Sequence, residues 1–125
     1  MEMKQCRYCH QEKPAENFGQ AATIRGKVYR RHRCTDCKNT LQTKRIQGLR
    51  LWVENYKKMR SCERCGYSDY RALTFHHPDK AEKVFAIAEA TIIGRSLAAI
   101  EREIAKCSLI CANCHAIEHY HEPNL

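Results

Sequence analysis

Eight of the nine cysteines in this chain are arranged as four C-x-x-C pairs. The pairs are Cys6/Cys9, Cys34/Cys37, Cys62/Cys65 and Cys111/Cys114. A Zn²⁺ ion takes four ligands at the corners of a tetrahedron, and one C-x-x-C turn supplies two of them. Four such turns therefore predict two structural zinc sites, each with four cysteine ligands. The alternative, a redox-active C-x-x-C, usually occurs once and beside a βαβ pattern, which this sequence lacks.

Four histidines form a second group of residues that could bind a metal ion or take part in catalysis. His76 and His77 are adjacent at the end of the run LTFHHPDK, and neighbouring residues of a strand point to opposite sides. His115 and His119 follow Cys114 at a spacing of four, so that on a helix both imidazoles share one face and can bind one metal ion. A neutral imidazole, with a pKa of about 6.5, also suits a general base.

The cysteine spacing divides the chain into modules. Pairing by order predicts a zinc-ribbon-like module over residues 1–40, which contains the extended stretch GKVYRRHRC and in which Phe18 packs over the zinc site. Residues 41–60 are predicted to form a basic connecting helix. The second module, residues 61–125, carries 45 residues between its two cysteine pairs and a helix with Ser96 as its N-cap. The expected fold class is α+β.

The charge of the chain favours a polyanionic partner. The formal net charge is +8, and two zinc sites of four thiolates each would lower it to about +4. We expect a nucleic acid to be bound by the basic residues Arg30, Arg31, Arg33, Lys44, Arg45, Arg50, Lys57 and Lys58. Because no apolar run approaches the roughly 20 residues that cross a bilayer and no signal peptide is evident, we expect a cytoplasmic protein without a membrane partner. The sequence leaves open whether the protein is a monomer or a homodimer.

The motifs of the second module resemble those of a known family. C-x-x-C, then L-T-F-H-H, then C-S-L-I-C-A-N-C-H-A-I-E-H, is similar to the HNH endonucleases, whose core is the ββα-metal (His-Me finger) fold. The resemblance covers about residues 61–121. The stretches QCRYCHQEKPAENF and RCTDC are similar to the zinc module that precedes such cores in small phage-encoded members. The resemblance therefore implies a phage-encoded enzyme in the bacterial cytoplasm that acts on double-stranded DNA. Nicking and cutting of both strands stay open, and so does a role in homing, packaging or defence.

The resemblance also implies a role for each of the four histidines. His77 would be the general base that activates water. His76, His115 and His119 would bind a catalytic divalent metal ion, either Mg²⁺, Mn²⁺, Ni²⁺ or Zn²⁺. The implied reaction is hydrolysis of a DNA phosphodiester bond to a 5′-phosphate and a 3′-hydroxyl. In one departure from the family pattern, Lys106 occupies the position of the usual middle asparagine.

Two other classes of protein remain open. A non-catalytic zinc-finger protein that binds nucleic acid or regulates transcription explains the cysteines and the charge equally well, but it does not explain the histidines. A zinc-dependent adaptor for protein interactions predicts no particular affinity for nucleic acid.

Overall fold

The computed structural model describes residues 2–121 and is a mixed α+β protein. The chain forms two compact units, Met1–Arg45 and Ile46–Leu125, and the boundary between them lies inside a long helix. Within residues 2–121, none of the helices combines the length and the apolar character that crossing a bilayer requires.

The first unit contains two β-hairpins. Strand β1 (Met3–Gln5) pairs antiparallel with β2 (Glu12–Pro14), and the Cys6/Cys9 turn lies between them. Strand β3 (Phe18–Ile24) pairs antiparallel with β4 (Lys27–Cys34). These two longer strands are joined by Arg25 and Gly26 with φ values of 53° and 80°, the left-handed conformation that a two-residue hairpin turn requires.

Helix α1 (Thr35–Lys58) follows β4 without a linker. It begins six residues before the predicted start at residue 41, because the second C-x-x-C pair forms the junction: Cys34 ends β4 and Cys37 lies in the first turn of the helix. Asp36 near the start, with Lys57 and Lys58 near the end, complements the helix dipole.

The second unit places two strands and three helices around its cysteines. The elements are β5 (Leu73–His76), α2 (Ile87–Ile93), α3 (Leu97–Ile104), β6 (Ser108–Cys111) and α4 (Ala112–His121). Strand β5 pairs antiparallel with β6, and α4 packs on both strands. The chain order of this group is therefore strand, strand, helix.

Local signals explain where the two short helices begin and end. The Ser96 hydroxyl accepts a hydrogen bond from the Ala99 amide at 3.2 Å, which confirms the predicted N-cap of α3. Helix α2 ends at Gly94, whose φ of 72° is the left-handed C-cap conformation that glycine favours. The sequence analysis did not foresee α2, which has only two turns.

Buried side chains form three separate clusters. In the first unit, Phe18 packs against Cys6 and Cys34, as expected. The remaining two clusters belong to the second unit. One joins the second half of α1 to α2 and α3, and includes Leu49, Phe85, Ile87, Ala90, Ile100 and Ile104. The other lies beneath the second set of cysteines and includes Cys62, Leu73, Leu109, Ile110 and Cys111.

Replacing Phe18 with Ala should strongly destabilise the first unit. Phe18 is fully buried against two cysteines, and truncation of a buried phenylalanine costs roughly 3–5 kcal/mol of unfolding free energy. Urea unfolding at a fixed zinc concentration measures the loss. The exposed Ile24→Ala is the matched control and should change the unfolding free energy by less than about 0.5 kcal/mol. Equal effects of the two substitutions would contradict a packing role for Phe18.

Candidate functional site

The first four cysteines come together as zinc cluster 1, formed by Cys6, Cys9, Cys34 and Cys37. Their sulfur atoms all lie within 4.8 Å of one another. The Sγ atoms of Cys6 and Cys37 are 3.8 Å apart, and those of Cys9 and Cys34 are 3.9 Å apart. Four sulfurs bound to one zinc ion at about 2.3 Å are separated by about 3.8 Å, so the cluster could hold Zn²⁺.

Hydrogen bonds within zinc cluster 1 favour the thiolate form of some of its cysteines, but they do not favour ionisation of all four together. Burial opposes ionisation of Cys6, yet the amides of Cys34, Cys9 and Tyr8 outweigh burial and lower the pKa of Cys6 to about 5. The hydrogen bond to Cys34 and burial raise the pKa of Cys37 to about 12. Full ionisation of the cluster therefore requires a cation that shares the charge of the four sulfurs.

Lys13 places a positive charge beside zinc cluster 1. Its Nζ atom lies 3.0 Å from a carboxylate oxygen of Asp36 and 3.3 Å from the Cys34 sulfur. The hydrogen bond to Asp36, followed by that to Cys34, raises the pKa of Lys13 above its ordinary value. Lys13 therefore stays protonated and offsets part of the negative charge that a zinc ion with four thiolate ligands carries.

The other four paired cysteines form zinc cluster 2, which consists of Cys62, Cys65, Cys111 and Cys114. All four sulfurs again lie within 4.8 Å of one another, and those of Cys65 and Cys111 are 3.5 Å apart. Burial opposes ionisation of Cys62, but hydrogen bonds from the amides of Cys65, Cys111 and Arg64 lower its pKa to about 6. This cluster could also hold Zn²⁺, and it connects two cysteine pairs that have 45 residues of chain between them.

Zinc cluster 2 fixes the start of α4. Cys111 ends β6, and Cys114 lies in the first turn of the helix. Arg64, inside the Cys62/Cys65 turn, forms an ion pair with Glu118 one turn further along α4. The helix is thereby held at two points, and the residues between and beyond them take up defined positions.

The histidine cluster, formed by His76, His115 and His119, lies where α4 packs on β5. The His76 ring centroid is 5.5 Å from that of His115 and 6.1 Å from that of His119. The Nε2 atoms of His115 and His119 are 2.9 Å apart, close to the roughly 3.4 Å that two imidazoles on one metal ion adopt. Within residues 2–121, only the two zinc clusters gather all their ligand atoms within 4.8 Å, so the histidine cluster is looser.

His77 contacts a different element from its neighbour His76. Its Nε2 atom lies 2.8 Å from Oε1 of Glu103 on α3 and 3.4 Å from the sulfur of Cys107. The two imidazoles are buried, with 6% of His76 and 8% of His77 exposed. One therefore contacts α4 and the other contacts α3, in agreement with the alternation expected at a strand.

Glu103 is a buried carboxylate with three donors around it. Its Oε1 atom accepts from the Val84 amide at 3.0 Å in addition to His77, and its Oε2 atom accepts from Lys106 Nζ at 3.0 Å. Burial acts to raise the pKa of Glu103, but the hydrogen bonds from Val84, Lys106 and His77 outweigh it and hold that pKa at about 2. Glu103 is therefore ionised at neutral pH.

The sequence analysis missed Glu103, although a signal was present. Glu103 is three residues after Ile100 and directly before Ile104, so it falls on the apolar face of α3. A carboxylate on such a face is seldom buried unless it has partners. Cys107, the one cysteine outside the C-x-x-C pairs, is half-buried and contacts His77.

A cavity of about 400 Å³ borders His77. Its lining also includes Arg50 and Lys57 from α1 and Lys83, and within residues 2–121 these three cations have no ion-pair partner. Lys57 is half-buried with its Nζ atom 5.3 Å from the centre of the Phe75 ring, and burial lowers its pKa. Glu54 is the one carboxylate among the lining residues, so an anion in this cavity would meet an excess of positive charge.

The other residues predicted to bind nucleic acid lie mostly on the surface of their own units. Arg31, Lys44 and Arg45 are exposed. Arg30 donates to the Phe18 carbonyl at 3.1 Å, and Arg33 stacks on the Tyr8 ring at 4.0 Å.

Within residues 2–121, the positive charge of these residues is only partly neutralised by ion pairs. In the first unit, a cavity of about 640 Å³ is lined by Arg30, Arg31, Arg33 and Lys38, and no carboxylate lines it. In the second unit, Lys58 forms an ion pair with Glu54 at 4.0 Å.

Comparisons with protein-family models, with curated proteins and with solved structures return no match for this chain. The two zinc clusters, the histidine cluster and the His77–Glu103 pair therefore have to be interpreted from their own geometry.

The purified protein should contain two tightly bound zinc ions per chain. Replacing Cys6 with Ser should remove the ion of zinc cluster 1, and Cys111→Ser should remove that of zinc cluster 2, because three ligands hold zinc less firmly than four. Metal analysis after gel filtration in a weak chelator gives the number of ions that remain.

Cys107→Ser is the matched control for this measurement. Cys107 belongs to neither zinc cluster, so this variant should retain two ions. Loss of zinc from Cys107→Ser, or retention of both ions by Cys6→Ser, would contradict the assignment of ligands.

Proposed function

We propose that this chain is a metal-dependent DNA endonuclease of the HNH type, which hydrolyses phosphodiester bonds in duplex DNA. The observation that carries the proposal is the convergence of His76, from β5, with His115 and His119, from α4, directly beside a fourth imidazole that is bonded to a buried carboxylate. Structural zinc does not require these four histidines, because each zinc cluster already has four cysteines.

The order of the secondary-structure elements supports the assignment of a ββα-metal core to the second unit. Strands β5 and β6 and helix α4 follow the strand–strand–helix order of a ββα-metal core, and the residues that resemble the HNH motifs lie on these elements or next to them. We also propose that the first unit is a zinc-ribbon-like module. The same family assignment implies a phage-encoded protein that acts in the bacterial cytoplasm.

The donor set of the histidine cluster suits a borderline divalent cation. Neutral imidazoles bind Zn²⁺ and Ni²⁺ better than they bind Mg²⁺, which prefers oxygen ligands. A cation held there would stabilise negative charge on the phosphodiester in the transition state. The chain's own contribution would be to hold three imidazoles with α4 and β5, and to provide His77 as the base for the attacking water.

The distribution of charge supports a nucleic-acid substrate. Three cations without ion-pair partners in the described part of the chain border the cavity next to His77, together with the carboxylate of Glu54. The 640 Å³ cavity of the first unit is lined by four cationic side chains and no carboxylate. Contacts of this kind with phosphates would give affinity without sequence preference and would make binding depend on salt.

Replacing His77 with Gln should abolish cleavage of supercoiled plasmid while duplex binding is retained. The Gln amide can still donate to Glu103, but it has no basic nitrogen, and loss of a general base costs about 10²- to 10⁴-fold in rate. Plasmid nicking is measured with Mg²⁺, Mn²⁺, Ni²⁺ and Zn²⁺ in turn, and Ni²⁺ and Zn²⁺ should support it better than Mg²⁺ does.

His121→Ala is the control, because His121 lies exposed on α4 outside the histidine cluster and should not affect the rate. Cleavage by His77→Gln at the normal rate would refute the role of His77. If the unsubstituted protein binds duplex DNA but cuts it with none of the four metals, the non-catalytic zinc-finger alternative is correct.

Lys57→Gln should weaken duplex binding and flatten its salt dependence. If Lys57 contacts one phosphate, the slope of log K against log salt concentration should become less steep by about 0.9. Fluorescence anisotropy with a labelled duplex at several salt concentrations measures this slope. Arg102→Gln removes the same charge from an exposed position on α3 and serves as the control. Identical slopes for the two variants would remove Lys57 from the DNA interface.

A further inference from the structure

The burial of Glu103 is not explained by stability alone. Only 2% of its surface is exposed, on the face of α3 that otherwise carries Ile100 and Ile104. A buried ion pair commonly contributes no more to stability than apolar side chains of similar volume, because both charges lose their hydration. A carboxylate that is kept in such a position therefore suggests a role in the chemistry of its partner.

The bond between Glu103 and His77 determines where the proton on the imidazole lies. Glu103 is ionised, so its oxygens accept hydrogen bonds and cannot donate them. The proton in the 2.8 Å contact between Oε1 and His77 Nε2 must therefore belong to Nε2. Because a neutral imidazole carries a proton on only one nitrogen, the lone pair that can act as a base is on Nδ1.

Cys107 does not disturb this arrangement. Burial raises the pKa of the Cys107 thiol to about 11, so the thiol keeps its proton. Its sulfur lies 3.4 Å from the Glu103 carbonyl oxygen, to which it donates, and 3.4 Å from His77 Nε2. The sulfur can therefore act only as a weak second acceptor for the proton that Nε2 already shares with Glu103.

We propose that Glu103 is a positioning residue that fixes His77 as the Nε2–H tautomer, so that Nδ1 is the atom that accepts a proton from water. The role of water rests on the proposed endonuclease function, whereas the tautomer does not. In the reaction, one water proton passes to Nδ1 and the water oxygen bonds to phosphorus. The bond from phosphorus to the 3′ oxygen breaks, and that oxygen takes a proton from solvent. The imidazolium that forms is stabilised by the adjacent Glu103 carboxylate.

Lys106 acts in the same arrangement through Glu103. It donates to Oε2 of Glu103 and to the Glu82 carbonyl, each at 3.0 Å, and so holds the carboxylate with Oε1 towards His77. In the HNH pattern this position usually carries an asparagine. Here Lys106 would help to position the general base indirectly, because it holds Glu103 and Glu103 in turn holds His77.

Nitrogen NMR of the zinc-loaded full-length chain tests the proposal without any substitution. Long-range ¹⁵N–¹H correlation spectra at a pH where the ring is neutral distinguish a protonated from an unprotonated ring nitrogen. His77 should show a proton on Nε2 and none on Nδ1. A proton on Nδ1, or a mixture of the two tautomers in comparable amounts, would overturn the proposal.

Three variants extend the test to catalysis. In Glu103→Gln, the amide oxygen can face either Lys106 or the pair of donors His77 and Val84, but not both. Lys106 is charged and attracts the oxygen, which turns the amide NH₂ towards Nε2 and favours the wrong tautomer. We expect the NMR signal of the proton to move to Nδ1, and kcat to fall about 10- to 100-fold with KM unchanged.

The double variant Glu103→Gln/Lys106→Met provides the rescue. Without the lysine, the amide oxygen can return to His77 and Val84, so the Nε2 proton should reappear and kcat should rise above that of the single variant. Lys106→Met alone should keep the original tautomer. A purely structural role for Glu103 predicts instead that the double variant is worse than the single one, and that result would overturn the proposal.

The proposed endonuclease function and the proposed role of Glu103 can be refuted independently of each other. If the unsubstituted protein has the Nε2–H tautomer but cleaves no DNA with any of the four metals, the proposed function is wrong and the positioning of His77 stands. If it cleaves DNA while His77 carries its proton on Nδ1, the endonuclease function stands and the role of Glu103 is wrong.

Discussion

The linkage of distant chain segments through two sets of four sulfurs is the constraint on which the rest of the structure depends. The buried side chains are divided among three small clusters, and two of these clusters consist partly of the cysteines themselves. Small separate cores bury too little apolar surface to offset the conformational entropy lost on folding. Metal binding can supply the missing free energy, because ligands gathered by folding bind a metal ion far better than the same ligands in an unfolded chain.

The sulfurs also determine where each strand becomes a helix. Cys34 ends β4 and Cys37 lies in the first turn of α1, and Cys111 and Cys114 have the same relation to β6 and α4. In the second unit this junction gives α4 a fixed starting point, and the ion pair between Arg64 and Glu118 fixes its direction. The side chains of His115 and His119 can then meet His76 without any large apolar core to orient them.

Features determined by local spacing could be predicted from the sequence. The C-x-x-C pairs predict both zinc clusters, the spacing of His115 and His119 predicts a shared helix face, and Ser96 predicts the start of α3. Features that depend on tertiary contacts could not be predicted in the same way. The partner of His77 lies 26 residues along the chain at Glu103, and no local pattern connects the two. Helix α2 was missed because seven residues give too short a periodic signal.

The pairing of β5 with β6 sets Leu73 opposite Cys111 and His76 opposite Ser108. A sulfur ligand thus lies at one end of a four-residue ladder and the imidazole doublet at the other, which leaves no freedom in the length of chain between them. One residue added within β5 would exchange the surroundings of the two imidazoles. Residues 78–82 are exposed and belong to no strand of this ladder, so its register does not fix their number. Natural variation in chain length should therefore be absent within β5 and more frequent after the doublet.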